Sequence, residues 1–268
     1  MKTAPEIHLS DVQSVYSGPE GRLWELLMGE QIHIGGFQSS MDLASRAGIR
    51  EGLRGVDLCC ASAAGMRFLL RFRNVSHMTG VDATGAMIEL ARRRCDEEGF
   101  VERITLLEGD VCATGLHAGG NDFVWGEDAW CYVENKTALV AEAARILKPG
   151  GIIAFTDWME GPVEMSDDEA ARYLSFMKFP NILTQVEYTR LLEANGCDIQ
   201  FAHDTGRFPG HVRLYLDMID KQLTYDALKI IGFDVPMAAK LVAEMRFIQS
   251  LAESNKIQQG LIVAQKIT

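Results

Sequence analysis

Three aspartates, Asp57, Asp82 and Asp110, each follow a short apolar run with strand-like character. If these runs are parallel strands of one open sheet, their carboxyl ends meet at the edge where such sheets bind ligands. There, Asp82 can accept hydrogen bonds from ribose hydroxyls, Asp110 can meet an adenine amino group, and Asp57 can orient the amides of the first loop. One such aspartate is also typical of a helix N-cap. Three at successive strand ends favour a ligand site.

The elements that must position these aspartates alternate from about Arg54 onward. Apolar runs and helical periodicity follow one another at the spacing of βαβ units. We predict strands at 56–60, 77–81, 104–107, 122–125, 152–156, 198–202 and 260–264, and helices at 63–72, 84–98, 138–147, 186–195, 215–231 and 236–254. The expected fold is α/β: a Rossmann-like, seven-stranded, mostly parallel sheet with helices on both faces.

Further segments are expected to surround this sheet. Residues 1–50 are predicted to form an N-terminal helical cap segment, and residues 51–268 the main domain. Within that domain we predict helical lid insertions at about 160–183 and 209–255. The helical pair at 215–231 and 236–254 indicates either a lid or the face of a homodimer.

The composition narrows the class of partner. The chain has 268 residues, a formal net charge of −11 and 47% hydrophobic residues, which is typical of a globular protein. An excess of negative charge disfavours nucleic acid and anionic membrane surfaces. No apolar stretch approaches the length of a membrane span, and the first residues show no targeting signal, so we expect a cytoplasmic location. The six cysteines lack metal-ligand spacing, so no metal site is expected.

The stretch from Val56 to Asp157 resembles the core of class I S-adenosylmethionine-dependent methyltransferases. The resemblance is carried by Val56-Asp57-Leu58, Gly80-Val81-Asp82, Gly109-Asp110-Val111 and Leu147-Lys148-Pro149-Gly150-Gly151. It implies S-adenosylmethionine as the cofactor, with ribose at Asp82, adenine at Asp110 and the methionine part at the first loop. The full set of expected cofactor-binding residues is Trp24, Asp57, Cys59, Ala61, Asp82, Ala83, Asp110, Val111 and Glu127.

The first loop departs from the pattern of that family, which has glycines after the Asp-Leu pair. Here the corresponding positions hold Cys59, Ala61 and Ala63. Glycine permits positive φ and close approach to a ligand, so close approach stays feasible here if φ is negative at these positions. We expect retained cofactor binding, with a shifted cofactor pose or lost binding as the alternatives. A nicotinamide-dependent oxidoreductase is the alternative on this architecture. Its G-x-G-x-x-G motif is missing, because this loop offers only Gly65.

The acceptor side resembles small-amine N-methyltransferases, namely the sarcosine/dimethylglycine and phosphoethanolamine enzymes. The similarity rests on residues 26–36, on the segments 207–211 and 255–260, and on Asp128-Ala129 after the fourth strand. Those relatives have a histidine where this chain has Tyr132, and in some it pairs with a tyrosine matched here by Tyr16. The loss of that histidine removes a general base near neutral pH. The expected acceptor-side residues are Tyr16, Asp128, Tyr132 and His211.

Other side chains have two interpretations each. Trp24, Trp130 and Trp158 either attract a cationic ligand with their aromatic faces or fill the core. Arg207 and Arg213 either bind an acceptor carboxylate or lie on the surface.

Together these patterns predict methyl transfer to a small-molecule acceptor, with an amine as the first choice. Carbon, oxygen or sulfur acceptors remain open. So does a non-catalytic protein that binds S-adenosylmethionine, which the glycine-poor loop suggests.

Overall fold

Alternating strands and helices fill the chain in the computed structural model, which describes residues 2–4 and 6–267. The strands are β1 (Lys2–Thr3), β2 (Arg54–Leu58), β3 (His77–Asp82), β4 (Ile104–Glu108), β5 (Asn121–Glu127), β6 (Leu147–Glu160), β7 (Asn181–Ile182), β8 (Cys197–Asp204) and β9 (Ile257–Lys266). The helices are α1 (Leu9–Ser17), α2 (Pro19–Met28), α3 (Gly36–Arg46), α4 (Ala64–Phe72), α5 (Gly85–Glu97), α6 (Lys136–Ile146), α7 (Asp167–Met177), α8 (Gln185–Ala194), α9 (Phe208–Lys221), α10 (Thr224–Ile230) and α11 (Val235–Glu253).

The central sheet has seven strands in the order β4-β3-β2-β5-β6-β9-β8. The first five are parallel, and β9 runs antiparallel to both β6 and β8. The predicted α/β, mostly parallel sheet is therefore confirmed. Order reverses between β2 and β5, so the carboxyl ends of these strands open the crevice in which such sheets bind ligands.

Buried apolar residues cover both faces of this sheet. Met66, Phe123 and Trp125 belong to a cluster on the side of α3, α4 and α5, whereas Val124 and Phe155 belong to one with α6 and α8. A third cluster joins the N-terminal segment to the helices inserted around β8. Because strands buried on both faces carry apolar residues at successive positions, this packing explains the nearly continuous apolar runs.

The N-terminal segment is fixed to the sheet domain by charged and polar contacts. Glu30 accepts from Arg67 of α4 at 2.7 Å, and Glu25 pairs with Arg94 of α5. The Gln13 side-chain amide donates to the Ala83 carbonyl oxygen at 2.7 Å, which places α1 over the carboxyl ends of the strands. The division at residue 50 into cap and domain stays a prediction.

Several element boundaries differ from the sequence prediction, and three of the differences have a clear local cause. The fifth strand begins at Leu147 rather than 152, because Leu147 already pairs with Asn121 before the glycine turn. The helix predicted at 215–231 is two helices, and its first part begins at Phe208 with Pro209 in its first turn. The break follows Lys221, where the Thr224 hydroxyl donates to the carbonyl oxygen of Ile219. In the segment 160–183 the helix is shorter than expected, because a Ser166–Glu169 capping box sets its start.

Across the described parts of the chain, no helix combines the length and apolar character needed to cross a membrane.

Candidate active site

A cavity of about 680 Å³ lies at the carboxyl ends of β2 to β5, beneath α1. All the predicted site residues except Trp24 and His211 line it: Tyr16, Asp57, Cys59, Ala61, Asp82, Ala83, Asp110, Val111, Glu127, Asp128 and Tyr132. The parallel topology therefore brings residues from distant parts of the sequence into one enclosure.

Trp24 and His211 lie elsewhere, and we remove both from the site. Trp24 lines a second, largely apolar cavity of about 470 Å³ between α2, α10 and α11. His211 lies in the first turns of α9, and its Nδ1 is 3.0 Å from the Arg207 carbonyl oxygen. In both cases the orientation of the helix determines which residues surround the side chain.

The other tryptophans are packing residues. Trp130 is buried and stacks on Phe155 with ring centroids 4.2 Å apart. Trp158 is also buried and makes edge contacts with Phe179 and Phe208.

Asp82 joins the first loop to the start of α5. Its Oδ2 accepts from the Ala61 amide at 2.9 Å, and its Oδ1 accepts from the Thr84 amide at 2.8 Å. Burial raises the pKa of Asp82, and the two amides act in the opposite direction. The Thr84 side chain also hydrogen-bonds Asp82, so of the about four lone-pair positions of a carboxylate at least one remains for a hydroxyl donor from the cavity.

The backbone of the first loop has the conformation that glycine usually provides. Its φ values are 67° at Cys59, 43° at Ala61 and 61° at Ala63, so the condition of negative φ is not met. Hydrogen bonds hold this conformation, because the Cys59 and Cys60 amides both donate to the Val81 carbonyl oxygen, at 2.9 and 3.2 Å. The loop keeps its path and bears the strain of three side chains in the left-handed region.

Replacing Ala61 by glycine is expected to raise the free energy of unfolding by up to about 1 kcal/mol. Relief of the left-handed conformation outweighs the extra freedom of the unfolded chain. Cofactor affinity should stay within about twofold, because the amide bond to Asp82 is unchanged. Urea unfolding measures the first quantity and calorimetry the second.

The matched control for Ala61→Gly is Ala171→Gly, an exposed position inside α7. The same change there should lower the free energy of unfolding by about 1 kcal/mol. Destabilisation by Ala61→Gly as well would contradict the strained conformation.

Carboxylates converge on the floor of the cavity. Glu127 accepts from Ser40 Oγ at 2.6 Å and from Trp125 Nε1 at 3.0 Å, and its Oε1 lies 3.4 Å from His33 Nε2. A Cβ at Gly65 would lie 2.7 Å from Glu127 Oε2, so a side chain there would displace the Glu127 carboxylate. Burial, with the nearby Glu127 and Asp82, raises the pKa of Asp57 well above its usual range. This cluster suits a cationic group.

Tyr16 and Tyr132 meet across the cavity. Their hydroxyl oxygens are 3.0 Å apart, and their rings pack edge to face with centroids 5.5 Å apart. Burial raises the pKa of Tyr16 and of Tyr132 well above the usual value. Both phenols are therefore protonated near neutral pH, and they can donate or accept hydrogen bonds without acting as a general base.

The Asp128 carboxylate is hydrogen-bonded to other segments of the fold. Its carboxylate accepts from the Ile34 amide at 2.8 Å and from the Gln259 side-chain amide at 3.0 and 2.9 Å. It therefore connects the N-terminal segment to β9, at a backbone φ of 51°. These bonds give Asp128 a positioning role in the fold, and its predicted place among the acceptor-side residues stays a prediction.

Asp157 and Lys136 were missed by the sequence analysis. Both are buried behind the turn that carries Tyr132. Asp157 accepts from the Cys131 amide at 3.0 Å, and Lys136 donates to the carbonyl oxygens of Cys131 and Val133 at 3.1 and 2.6 Å. A signal was present, because Asp157 follows the predicted strand 152–156 just as Asp82 follows the second strand.

The comparison with protein families identifies the core of this site. Residues 56–155 match the family model of a methyltransferase domain, and these residues contain Asp57, Asp82 and Asp110. The resemblance seen in the strand-end motifs is therefore confirmed for this stretch of the chain. Such a domain implies S-adenosylmethionine as the methyl donor.

Individual relatives are distant. A sterol 24-C-methyltransferase of Aspergillus fumigatus is 26% identical over 117 residues, which are 44% of this chain and 31% of that protein. The chain spans about a third of the length of the first curated relatives that it matches.

Solved structures share the fold over nearly the whole chain. Phosphoethanolamine N-methyltransferase 2 of Haemonchus contortus, solved with phosphomonomethylethanolamine and S-adenosylhomocysteine, has a TM-score of 0.84 at 19% identity and covers 96% of this chain and 59% of its own. A Galdieria sulphuraria protein described as a sarcosine dimethylglycine methyltransferase has a TM-score of 0.78 at 19% identity, with coverages of 96% and 98%. These similarities show the Rossmann-like methyltransferase fold.

Proposed function

We propose that this protein transfers a methyl group from S-adenosylmethionine to a small-molecule amine. The observation that carries the proposal is that one cavity joins Asp82, with at least one free lone pair, to the hydrogen-bonded pair of Tyr16 and Tyr132. The amine acceptors named for two proteins of the same fold support it.

The residues present fit the cofactor on two grounds. The first loop follows a glycine-like path, which allows close approach of a ligand to the backbone. The carboxylates of Asp57 and Glu127 suit the cationic character of S-adenosylmethionine, whose sulfonium supplies a methyl group activated for transfer. Asp82 would hold the ribose, and Asp110 and Val111 the adenine.

On the acceptor side, the residues align and enclose rather than react. Tyr16 and Tyr132 hydrogen-bond a polar group of the acceptor, and α1 excludes water above it. Well-oriented reacting pairs gain about 7–11 kcal/mol from positioning alone. Because both phenols stay protonated, the amine must arrive as the free base or lose its proton to water.

A carbon acceptor is the second candidate. Ile7, Leu9, Val12 and Ile32 also line the cavity, and such a wall suits an apolar substrate. A named sterol C-methyltransferase among the relatives supports this alternative. Incubation with methyl-labelled S-adenosylmethionine and a panel of amines, alcohols and alkenes tests the proposal. Label in the amines alone supports it, and label only in another class refutes the amine assignment.

Tyr16→Phe is expected to raise the acceptor KM about tenfold, since one hydrogen bond of about 1.4 kcal/mol is lost. The cofactor Kd should change less than twofold. Steady-state kinetics and calorimetry measure the two effects, and Tyr225→Phe, at a side chain 67% exposed, is the matched control. An unchanged acceptor KM would place the acceptor away from Tyr16.

A further inference from the structure

The charges that line the cavity are almost all of one sign. Eight carboxylates line it, and no lysine or arginine does so within the parts of the chain that the structure describes. Some of these carboxylates face the proposed cofactor, but Asp128 and Glu134 belong to the segment that also carries Tyr132. A wall that presents carboxylates but no lysine or arginine to the cavity repels an anionic ligand.

The arginines considered as anion ligands are held by acidic partners. Arg207, considered above as a carboxylate clamp, pairs with Asp42 at 3.0 Å, and Arg213 pairs with Glu253 at 2.6 Å. Arg67 is buried between Glu30 and Glu98. Recognition of a phosphate or carboxylate typically uses such arginines in bidentate contacts, and here they are already engaged.

His33 is the one imidazole among the described residues that line the cavity. Its Nε2 lies 3.4 Å from Glu127 Oε1 and 3.2 Å from Ser40 Oγ. Any positive charge on His33 is therefore matched by Glu127 and is not available to an acceptor anion.

We infer that the acceptor is an amine that carries neither phosphate nor carboxylate, selected by the acidic wall of the cavity. This inference rests on the proposed function and names its substrate class. An alkylamine or an amino alcohol fits that wall. Phosphoethanolamine and sarcosine do not, because each would place an anion among carboxylates without a partner.

A pair of unreactive ligands tests the charge preference independently of turnover. Choline and phosphocholine share a fully methylated nitrogen and differ in the phosphate. Calorimetry with protein saturated with S-adenosylhomocysteine, which lacks the sulfonium charge, should give a Kd for choline at least 10-fold below that for phosphocholine. Equal affinities, tighter binding of phosphocholine or no binding of choline would overturn the inference.

Turnover separates this inference from the proposed function. With labelled cofactor, ethanolamine should exceed phosphoethanolamine in kcat/KM by at least 100-fold, and sarcosinamide should exceed sarcosine similarly. If no amine is methylated while choline still binds preferentially, the proposed function fails and the charge inference stands. If phosphoethanolamine is the better substrate, the function stands and the inference fails.

Charge reversal at the wall provides a matched pair of variants. Glu134→Lys places a cation on the lining and is expected to tighten phosphocholine binding about 10-fold. Glu102→Lys makes the same change in net charge at an exposed residue outside the cavity, and binding should change less than twofold. The same effect in both variants would indicate a general field and would overturn selection by the wall.

Discussion

Replacing Asp82 by alanine is expected to weaken S-adenosylmethionine binding by at least about 100-fold. Asp82 provides the proposed ribose contacts and also anchors the Ala61 amide of the first loop. Loss of two hydrogen bonds to a charged group costs about 3 kcal/mol of binding free energy, which corresponds to an affinity about 100-fold weaker. Isothermal calorimetry measures it directly.

Two further variants serve as comparisons for Asp82→Ala. Asp82→Asn retains the shape and one acceptor oxygen, so an intermediate loss of about 10-fold is expected. Asp110→Ala removes an exposed carboxylate and should cost less than about 10-fold, since exposed hydrogen bonds contribute little. Unchanged affinity in both Asp82 variants, with the free energy of unfolding measured alongside, would show that the ribose lies elsewhere.

The strand-end aspartates were predictable because their position depends on local pattern. Once Asp57, Asp82 and Asp110 are assigned to ends of parallel strands, the topology brings them to one edge. The seven-stranded sheet followed from the same alternation of apolar runs and helices.

Contacts between distant segments were not predictable in this way. Asp128 is bound by Ile34 and Gln259, which lie 94 and 131 residues away in the sequence. Whether Trp24 faces the site depends on how α2 packs against α10 and α11, and no local pattern records that packing. The positive φ values of the first loop escaped prediction because Cys59, Ala61 and Ala63 do not favour them, and only the surrounding hydrogen bonds impose them.

Stability should depend on pH through two buried groups, Asp157 and Lys136. Burial raises the pKa of Asp157 to about 6, against the attraction of the Lys136 ammonium and the hydrogen bond from Tyr188. Burial lowers the pKa of Lys136 to about 8, against the attraction of Asp157. Each group is therefore more easily neutralised in the folded protein than in the unfolded chain.

The sign of the pH dependence follows from proton binding. Between about pH 4 and 6 the folded state holds more protons on Asp157 than the unfolded state, so its contribution makes the free energy of unfolding fall as pH rises. Between about pH 8 and 10.5 the unfolded state holds more protons on Lys136, so the contribution of that group rises with pH. Asp157 alone accounts for a change of about 3 kcal/mol.

Asp157→Asn is expected to remove the contribution of Asp157 to the decline in stability between about pH 4 and 6. The asparagine oxygen can still accept from the Cys131 amide, so the turn that carries Tyr132 should keep its place. Urea unfolding at intervals of one pH unit, with wild type minus variant plotted against pH, isolates this contribution from those of Asp57 and Asp82. A difference that is flat with pH would contradict the buried titration of Asp157.

Lys136→Met should cost about 2–5 kcal/mol near neutral pH, because it removes the donor to the Cys131 and Val133 carbonyls and the cation whose attraction favours the Asp157 carboxylate. The ion pair chosen for comparison lies near the surface and joins Asp122 to Lys148 at 2.7 Å. Asp122→Asn should cost less than about 1 kcal/mol. The contribution of Asp122 to the free energy of unfolding should depend on pH with the opposite sign to that of Asp157. Burial raises the pKa of Asp122, but the contacts with Lys148 and the Arg54 amide hold that pKa below its usual value. Equal losses of the free energy of unfolding in the two variants would contradict the larger cost assigned to the buried Lys136.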